Sequence, residues 1–306
     1  MIVAKCPLRF SLAGGSTDLQ DFIDKNGHGA VISFPGTVYT YITVHNNNRG
    51  LYIINYTKRE EAKNIDNIKN DIAREVLKEF DCEPITITFN TDVQTVGSGL
   101  ASSSSYLIST IGAISRYKGI EMSNFEICKL ALKIERKFNP LTGYQDPYGC
   151  GIGSFKKMVF RKNEDPTIEY LEHSLFNNLS MYIRYTGVQR SSTSVLSKII
   201  KSDRRVLLQK VSELQEFVKN EDKERFLDCI TEGWKEKKRT SPHILENTHI
   251  KNIDLNLEKD ENILSHRLCG AGNGGYFLVF TKESYKLGKE YIKLSIDHKG
   301  LEVREV

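Results

Sequence analysis

What this chain has little of narrows its possibilities first. No run of 18 apolar residues occurs anywhere in its 306 positions, which excludes an ordinary membrane-spanning helix. The six cysteines (Cys6, Cys82, Cys128, Cys150, Cys229 and Cys269) include no C-x-x-C pair and have no histidine cluster nearby, so neither a zinc site nor a disulfide framework is expected. They read as reduced, mostly buried thiols of a cytoplasmic protein. The opening residues Met1 to Pro7 are too short a stretch, and Lys5 and Arg9 interrupt it too soon, for a signal peptide. A net charge of only +4 leans toward small anionic ligands and away from nucleic acid. The basic cluster Lys235-Glu236-Lys237-Lys238-Arg239 contains an acid and reads as a solvated helix face. Internal repeats and low-complexity segments are lacking too.

What is present is an ordinary globular composition, 39% hydrophobic and 27% charged, at a length that favours two domains. Alternation predicts strands at Ile2 to Cys6, Ala30 to Phe34, Val38 to His45, Leu51 to Tyr56 and Ile85 to Asn90. Helices are predicted near Asp18 to Lys25 and Ile68 to Phe80, and a capping box, Ser123-Asn124-Phe125-Glu126, opens another that runs through Lys137. Sequential helices after strands indicate an α+β fold. The polar stretch Arg161 to Pro166 is the expected boundary, giving domains 1–165 and 166–306. Beyond it we expect a strand at Leu179 to Tyr185 and a helical region from about Ser191 to Lys238. Strands at Ile263 to Leu268 and Tyr276 to Thr281, a helix from Glu283 to Ile296 and a strand at Leu301 to Glu305 follow.

The most informative stretch is Gly97-Ser98-Gly99-Leu100-Ala101-Ser102-Ser103-Ser104-Ser105, between the β-branched strand ending at Asn90 and the apolar repeat Leu107, Ile108, Ile111, Ile114. Glycine lets a backbone approach an anion, and the first turn of a helix offers unpaired N–H groups and a positive dipole end. Strand, loop and helix together make a phosphate cradle. A P-loop is excluded because no lysine lies between Asp92 and Arg116, and a dinucleotide fingerprint because Ser102 stands at the third glycine position.

Three other constellations could carry chemistry. Pro7 to Asp18 places Arg9, the turn Gly14-Gly15-Ser16-Thr17 and Asp18 close together, although Asp18 could equally cap the next helix. On the capped helix the ridge Ile127, Ala131 continues to Glu135, a carboxylate at the edge of the core that needs Mg²⁺ or an arginine. Its commoner alternative is a surface salt bridge with Arg136 or Lys137. Asp146, in Gly143-Tyr144-Gln145-Asp146-Pro147, is either a turn former or an acid for proton transfer. Finally, Gly270-Ala271-Gly272-Asn273-Gly274-Gly275 precedes a strand and not a helix, which argues for close backbone approach to a ligand over a Rossmann site.

In this order, Pro7-Leu8-Arg9 with Gly14 and Asp18, then Gly97 to Ser103, then Gly270 to Gly275, resemble the three motifs of the GHMP kinase superfamily across nearly the whole chain. The resemblance implies a two-domain fold, with an N-terminal ribosomal-S5-like domain 2-like domain and a C-terminal ferredoxin-like α/β sandwich. It implies ATP and Mg²⁺, with Gly97, Ser98, Gly99, Leu100, Ala101, Ser102, Ser103 and Ser104 around the nucleotide phosphates and Ser103 and Glu135 on the metal. Asp146 would be the base and Arg9 the cation beside the transferred group. Gly14, Gly15, Ser16, Thr17, Asp18, Tyr144, Gly272, Asn273 and Gly274 would line the acceptor site, and Arg190 is the candidate for a second phosphate, its alternative being a surface arginine.

Ala13 to Leu19, Gly143 to Asp146 and Tyr185 to Ser191 are most similar to the heptose 7-phosphate kinases. That similarity implies phosphorylation of an anomeric hydroxyl for nucleotide-activated heptose synthesis, with a homodimer as an open expectation. The rivals are a kinase of an unphosphorylated sugar of the galactose or fucose kind, a non-catalytic ligand sensor on the same fold, and a GHMP-type decarboxylase. Val96, Ala101, Leu8 and Asn273 depart from the commoner family residues, none of them at a position with a proton or metal role.

Overall fold

The computed structural model describes residues 1–189 and 203–306. Its first sheet is built on two long antiparallel strands, β1 (Ile2–Ala13) and β2 (His28–His45), with α1 (Gln20–Asn26) between them. β3 (Tyr52–Asn55), β4 (Arg59–Ala62), α2 (Asp71–Glu79) and β5 (Thr86–Thr91) extend it, in the order β1-β2-β5-β3-β4. Three helices follow in succession, α3 (Ser102–Tyr117), α4 (Asn124–Phe138) and α5 (Gln145–Gly151). The hairpin of β6 (Lys156–Arg161) and β7 (Thr167–Tyr170) then joins the first half of β2, so the polar stretch Arg161 to Pro166 is its turn.

β8 (Leu179–Tyr185) begins a second, antiparallel sheet. After it come α6 (Arg205–Lys219), α7 (Lys223–Thr240), α8 (Thr248–Lys259), β9 (Ile263–Leu268), β10 (Tyr276–Lys282) and β11 (Tyr291–Leu294), giving the order β11-β8-β10-β9. β12 (Glu302–Glu305) returns to the first sheet beside β1.

Three apolar clusters separate these layers. One lies between the first sheet and α2 to α5, one between the opposite face of β1 and β2 and the second sheet with α6 and α7, and one behind the second sheet around Trp234 and α8. β10 serves two of them by strand alternation, with Leu278 and Phe280 in the middle cluster and Phe277 and Val279 in the outer one. In β1, Ile2, Ala4 and Cys6 belong to the first cluster but Leu8, Phe10 and Leu12 to the second. The change of side coincides with a register shift between Pro7 and Leu8. Beyond that shift Arg9 faces α5.

The fold corrects several sequence expectations. Ala30 to Phe34 and Val38 to His45 are one strand, whose two halves have different neighbours, β6 and β5. Glu283 to Ile296 is not a helix, because the alternation Ile292, Leu294, Ile296 lets its end pair with β8 as β11, preceded by turns around Gly288. The helical region before Lys238 is two helices, divided where Glu221 takes a positive φ and Asp222 caps α7; its beginning, Ser191 included, lies outside the described residues. α8, capped by Asn247, was not anticipated. All six cysteines are buried free thiols, and the capping box at Ser123 and Glu126 is formed.

Candidate active site

The motifs converge on one cleft lined from β1, the Gly14 to Asp18 turn, the Gly97 to Ser104 loop, α4, α5, α7 and the end of β9. Its centre is an ion pair. Arg9, buried, donates from Nη2 at 2.8 Å and from Nε at 3.0 Å to the same oxygen, Oδ1, of Asp146. The third guanidinium nitrogen, Nη1, donates to the Gly99 carbonyl at 2.8 Å, and the Arg9 backbone N–H donates to Leu100 O at 3.2 Å. Burial alone would make this cation easier to deprotonate, but Asp146 outweighs it and holds Arg9 firmly charged. Asp146 sits in the first turn of α5 with 27% of its side chain exposed to the cleft. Lys156 fixes the other end of that helix, its buried Nζ donating to Ile152 O at 2.5 Å and reaching Gly149 O at 3.4 Å, and burial lowers its pKa to about 7.

The phosphate loop enters α3 as expected, and its four serines divide the work. Ser102 Oγ donates to Thr95 O at 2.7 Å, tying the loop to itself, and Ser105 Oγ turns into the core to Cys6 O at 3.0 Å. Ser104 Oγ donates to Glu135 Oε2 at 2.5 Å, and Ser103 lines the cleft beside the same carboxylate. Ala101 holds the left-handed conformation that starts the helix, φ 60°, which costs an alanine roughly 1 kcal/mol. Glu135 makes no surface salt bridge with Arg136 or Lys137; it is buried at the edge of the cleft. Burial pushes its carboxyl up to about 7, against the stabilising hydroxyls of Ser104 and Ser103. A buried carboxylate with no salt bridge among the described residues, next to hydroxyls and a helix start, fits Mg²⁺, which takes few protein oxygens and fills its shell with water and phosphate. No cluster of three or more metal-ligating side chains occurs among the described residues.

Asp18 is fully buried and does not cap α1, whose N-cap is Leu19. Its carboxylate accepts from Ser16 N at 3.1 Å, Gln145 Nε2 at 2.8 Å and Gln145 N at 3.0 Å, which links the first motif to α5. Burial, reinforced by Asp146, raises its pKa to about 6. Gly15 and Ser16 line the cleft with it.

Other expected acceptor residues stand behind the wall. Thr17 Oγ1 donates at 2.8 Å to Gly14 O and Ala30 O, and Gly14 lies so close to β2 that a Cβ on it would meet Ala30 O at 2.0 Å. Leu100, expected at the nucleotide phosphates and not at the acceptor, is in the middle core cluster, and Tyr144 stacks on Phe160 and donates to Gln20 at 3.0 Å. Gly272 packs on Ile244, Asn273 N–H donates to Ile244 O at 2.7 Å, and Gly274 likewise is not among the cleft-lining residues. From that glycine run it is Gly270 and Ala271 that line the cleft, while Gly275 supports the phosphate loop from behind. Arg190 lies outside the described residues.

Sequence reasoning missed two cations in the cleft, Lys237 and Arg267. Lys237 was assigned to a solvated face, yet it is buried, because Phe226, Ile230 and Gly233 set a helical stripe that reaches it next. Of its neighbours, Lys238 reaches the buried Asp254, and only Arg239 pairs at the surface, with Glu236. The signal for Arg267 was its place near the end of a strand that runs into the glycine turn.

The family model of the GHMP kinases N terminal domain matches residues 67–154. The chain is 26% identical to D-glycero-alpha-D-manno-heptose 7-phosphate kinase of Campylobacter jejuni over 93% of this chain and 91% of that one. It is 26% identical to an L-fucokinase/L-fucose-1-P guanylyltransferase of Bacteroides fragilis, over 61% of this chain and 21% of the larger protein. In fold it is similar to a D-glycero-D-manno-heptose 1-phosphate kinase from Bacteroides thetaiotaomicron, with a TM-score of 0.76, 19% identity and 100% and 99% of the two chains covered. A cleft assembled from all three motifs, a GHMP kinases N terminal domain matched over residues 67–154 and a relative similar along nearly its whole length are what the chain has in common with the GHMP kinases.

Proposed function

We propose that this chain transfers the γ-phosphoryl group of ATP to the anomeric hydroxyl of a seven-carbon sugar phosphate of the D-glycero-D-manno-heptose 7-phosphate type. The observation that carries the kinase half is Asp146, gripped by Arg9 through Oδ1 alone, in one cleft with a serine-glycine loop and a buried Glu135. The substrate half is supported by the similarity to the Campylobacter jejuni enzyme over 93% of the chain.

Asp146 accepts the proton of the attacking hydroxyl at its other oxygen, Oδ2. Arg9 orients that carboxylate and presents fixed positive charge beside the transferred group. The start of α3 supplies N–H groups and a positive dipole end to the nucleotide phosphates. Glu135 and the Ser103 hydroxyl would hold Mg²⁺, which supplies neutralisation of phosphate charge when bound. Asp18, fixed by Gln145 and Ser16, accepts hydrogen bonds from sugar hydroxyls. Positioning and electrostatics then account for most of the catalysis.

ADP release with ATP and a panel of hexoses, heptoses and their phosphates, followed by phosphorus NMR of the product, tests this reading. Turnover of heptose 7-phosphate to a 1,7-bisphosphate is expected. A preference for unphosphorylated fucose or galactose would replace the acceptor, a reading favoured by the similarity to the Bacteroides fragilis fucokinase. No ADP release from any acceptor would point to a ligand sensor.

A further inference from the structure

The cleft holds more positive charge than the transfer step uses. Arg9 is committed to Asp146 and Gly99. Lys237 from α7 and Arg267 from β9 also line the cleft, each about 4% exposed. Arg267 Nη1 donates to the Leu12 carbonyl, but its buried Nε has no hydrogen-bond partner among the described residues. Burial, with the nearby Arg9 adding to it, lowers the Arg267 pKa to about 10, so the guanidinium is still charged at neutral pH. A buried guanidinium without a counter-ion is costly, and an anion in the cleft that Arg267 lines lowers that cost. Lys237 Nζ donates to Gly270 O and lies 3.8 Å from where a Cβ on Gly15 would stand. That places it on the wall of the Gly14 to Asp18 turn, which carries the expected sugar contacts.

We infer that Arg267 and Lys237 seat an anionic group that the acceptor itself brings into the cleft, a phosphate monoester at the end of the sugar away from the reacting hydroxyl. The inference rests on the kinase reading and sharpens it, since these residues would decide between a phosphorylated sugar and its parent. Arg267 offers the planar fork that suits phosphate, and Lys237 a point charge.

The test compares heptose 7-phosphate with heptose, each with ATP, in the wild type and in Arg267→Met and Lys237→Met, with thermal melts to establish folding. The wild type is expected to favour the phosphorylated sugar in kcat/KM. Each variant is expected to reduce that preference by about tenfold or more through a raised KM for the sugar phosphate. If Arg267→Met does not fold, Arg267→Lys, which keeps the charge but loses the fork, is expected to lower the preference by a smaller factor. An undiminished preference in the folded variants, a rise in KM for ATP in its place, or a wild type with no preference overturns the seat and leaves ATP-dependent transfer standing. A wild type that turns over neither sugar overturns the heptose reading instead. Calorimetry with inorganic phosphate then decides the seat on its own: binding lost in the variants supports it, and equal binding in all proteins overturns it.

Discussion

Arg9 holds Asp146 by a single oxygen, with both Nη2 at 2.8 Å and Nε at 3.0 Å reaching Oδ1, and Oδ2 has no protein partner among the described residues. A carboxylate clamped this way is oriented without being consumed. Asp146→Asn is expected to lower kcat by about 10²-fold or more in a protein that still folds, with a lower Tm because the buried Arg9 loses its counter-ion. Since the two residues act as a unit, Arg9→Met combined with Asp146→Asn should cost little more than the more damaging single change. A near-wild-type rate for Asp146→Asn would remove it from the role of base.

Glu135→Gln retains an acceptor for the Ser104 hydroxyl, 2.5 Å away in the present structure, but removes the charge. The Mg²⁺ concentration giving half-maximal rate is expected to rise about tenfold or more, or turnover to cease. An unchanged Mg²⁺ titration at saturating ATP would count against Glu135 as a metal ligand.

Gly275 has φ 95°, and a Cβ on it would lie 2.1 Å from the Ser98 carbonyl, the group that accepts from Tyr276 N at 3.2 Å. Gly275→Ala is therefore expected to push on the phosphate loop, raising KM for ATP about tenfold and destabilising the fold by about 1–3 kcal/mol. Initial rates and thermal melts measure both. A normal KM for ATP in a folded protein would mean that the glycine run does not set the loop's position.

Asp18 holds its proton up to about pH 6, whereas an unfolded aspartate releases it near 3.8. Between those values the folded chain binds more protons, so this group's contribution is fully present below pH 3.8 and is lost as the pH rises through 6, roughly 3 kcal/mol across the window. The difference in Tm between wild type and Asp18→Asn should accordingly shift against the wild type as the pH goes from 4 to 7. In its proposed role Asp18 accepts from sugar hydroxyls in the ionised form, so kcat/KM for the acceptor should rise through about pH 6 in the wild type. A Tm difference that is flat with pH would show that Asp18 ionises normally.

Residues that act through local chemistry were readable from the chain. Gly97 to Ser105, Glu135 at the end of an apolar ridge and the capping box at Ser123 needed only helix periodicity and turn chemistry. Lys237 obeyed the same periodicity as Glu135, but its charged neighbours masked it. The division between wall and support was not readable. Thr17 and Asn273 sit in motif positions beside cleft residues, yet their partners, Ala30 and Ile244, are set by how separate elements pack. Nor was the reversal of β1, where an unbroken alternation from Ile2 to Leu12 hides a change of side at Pro7. The Glu283 to Ile296 segment went wrong because its lysines and glutamates favour a helix while its pairing with β8 is a tertiary matter.

The attachment of the phosphate loop to β1 has a mechanical meaning. β12 pairs with β1 over Ile2 to Lys5, and further along the strand Arg9 reaches the loop through its main chain at Leu100 and its side chain at Gly99. The same side chain carries Asp146, the proposed proton acceptor. In the proposed reaction the donor and acceptor halves therefore hang from one fixed point, and a displacement of the loop at Gly99 and Leu100 would pull on the residue that orients Asp146.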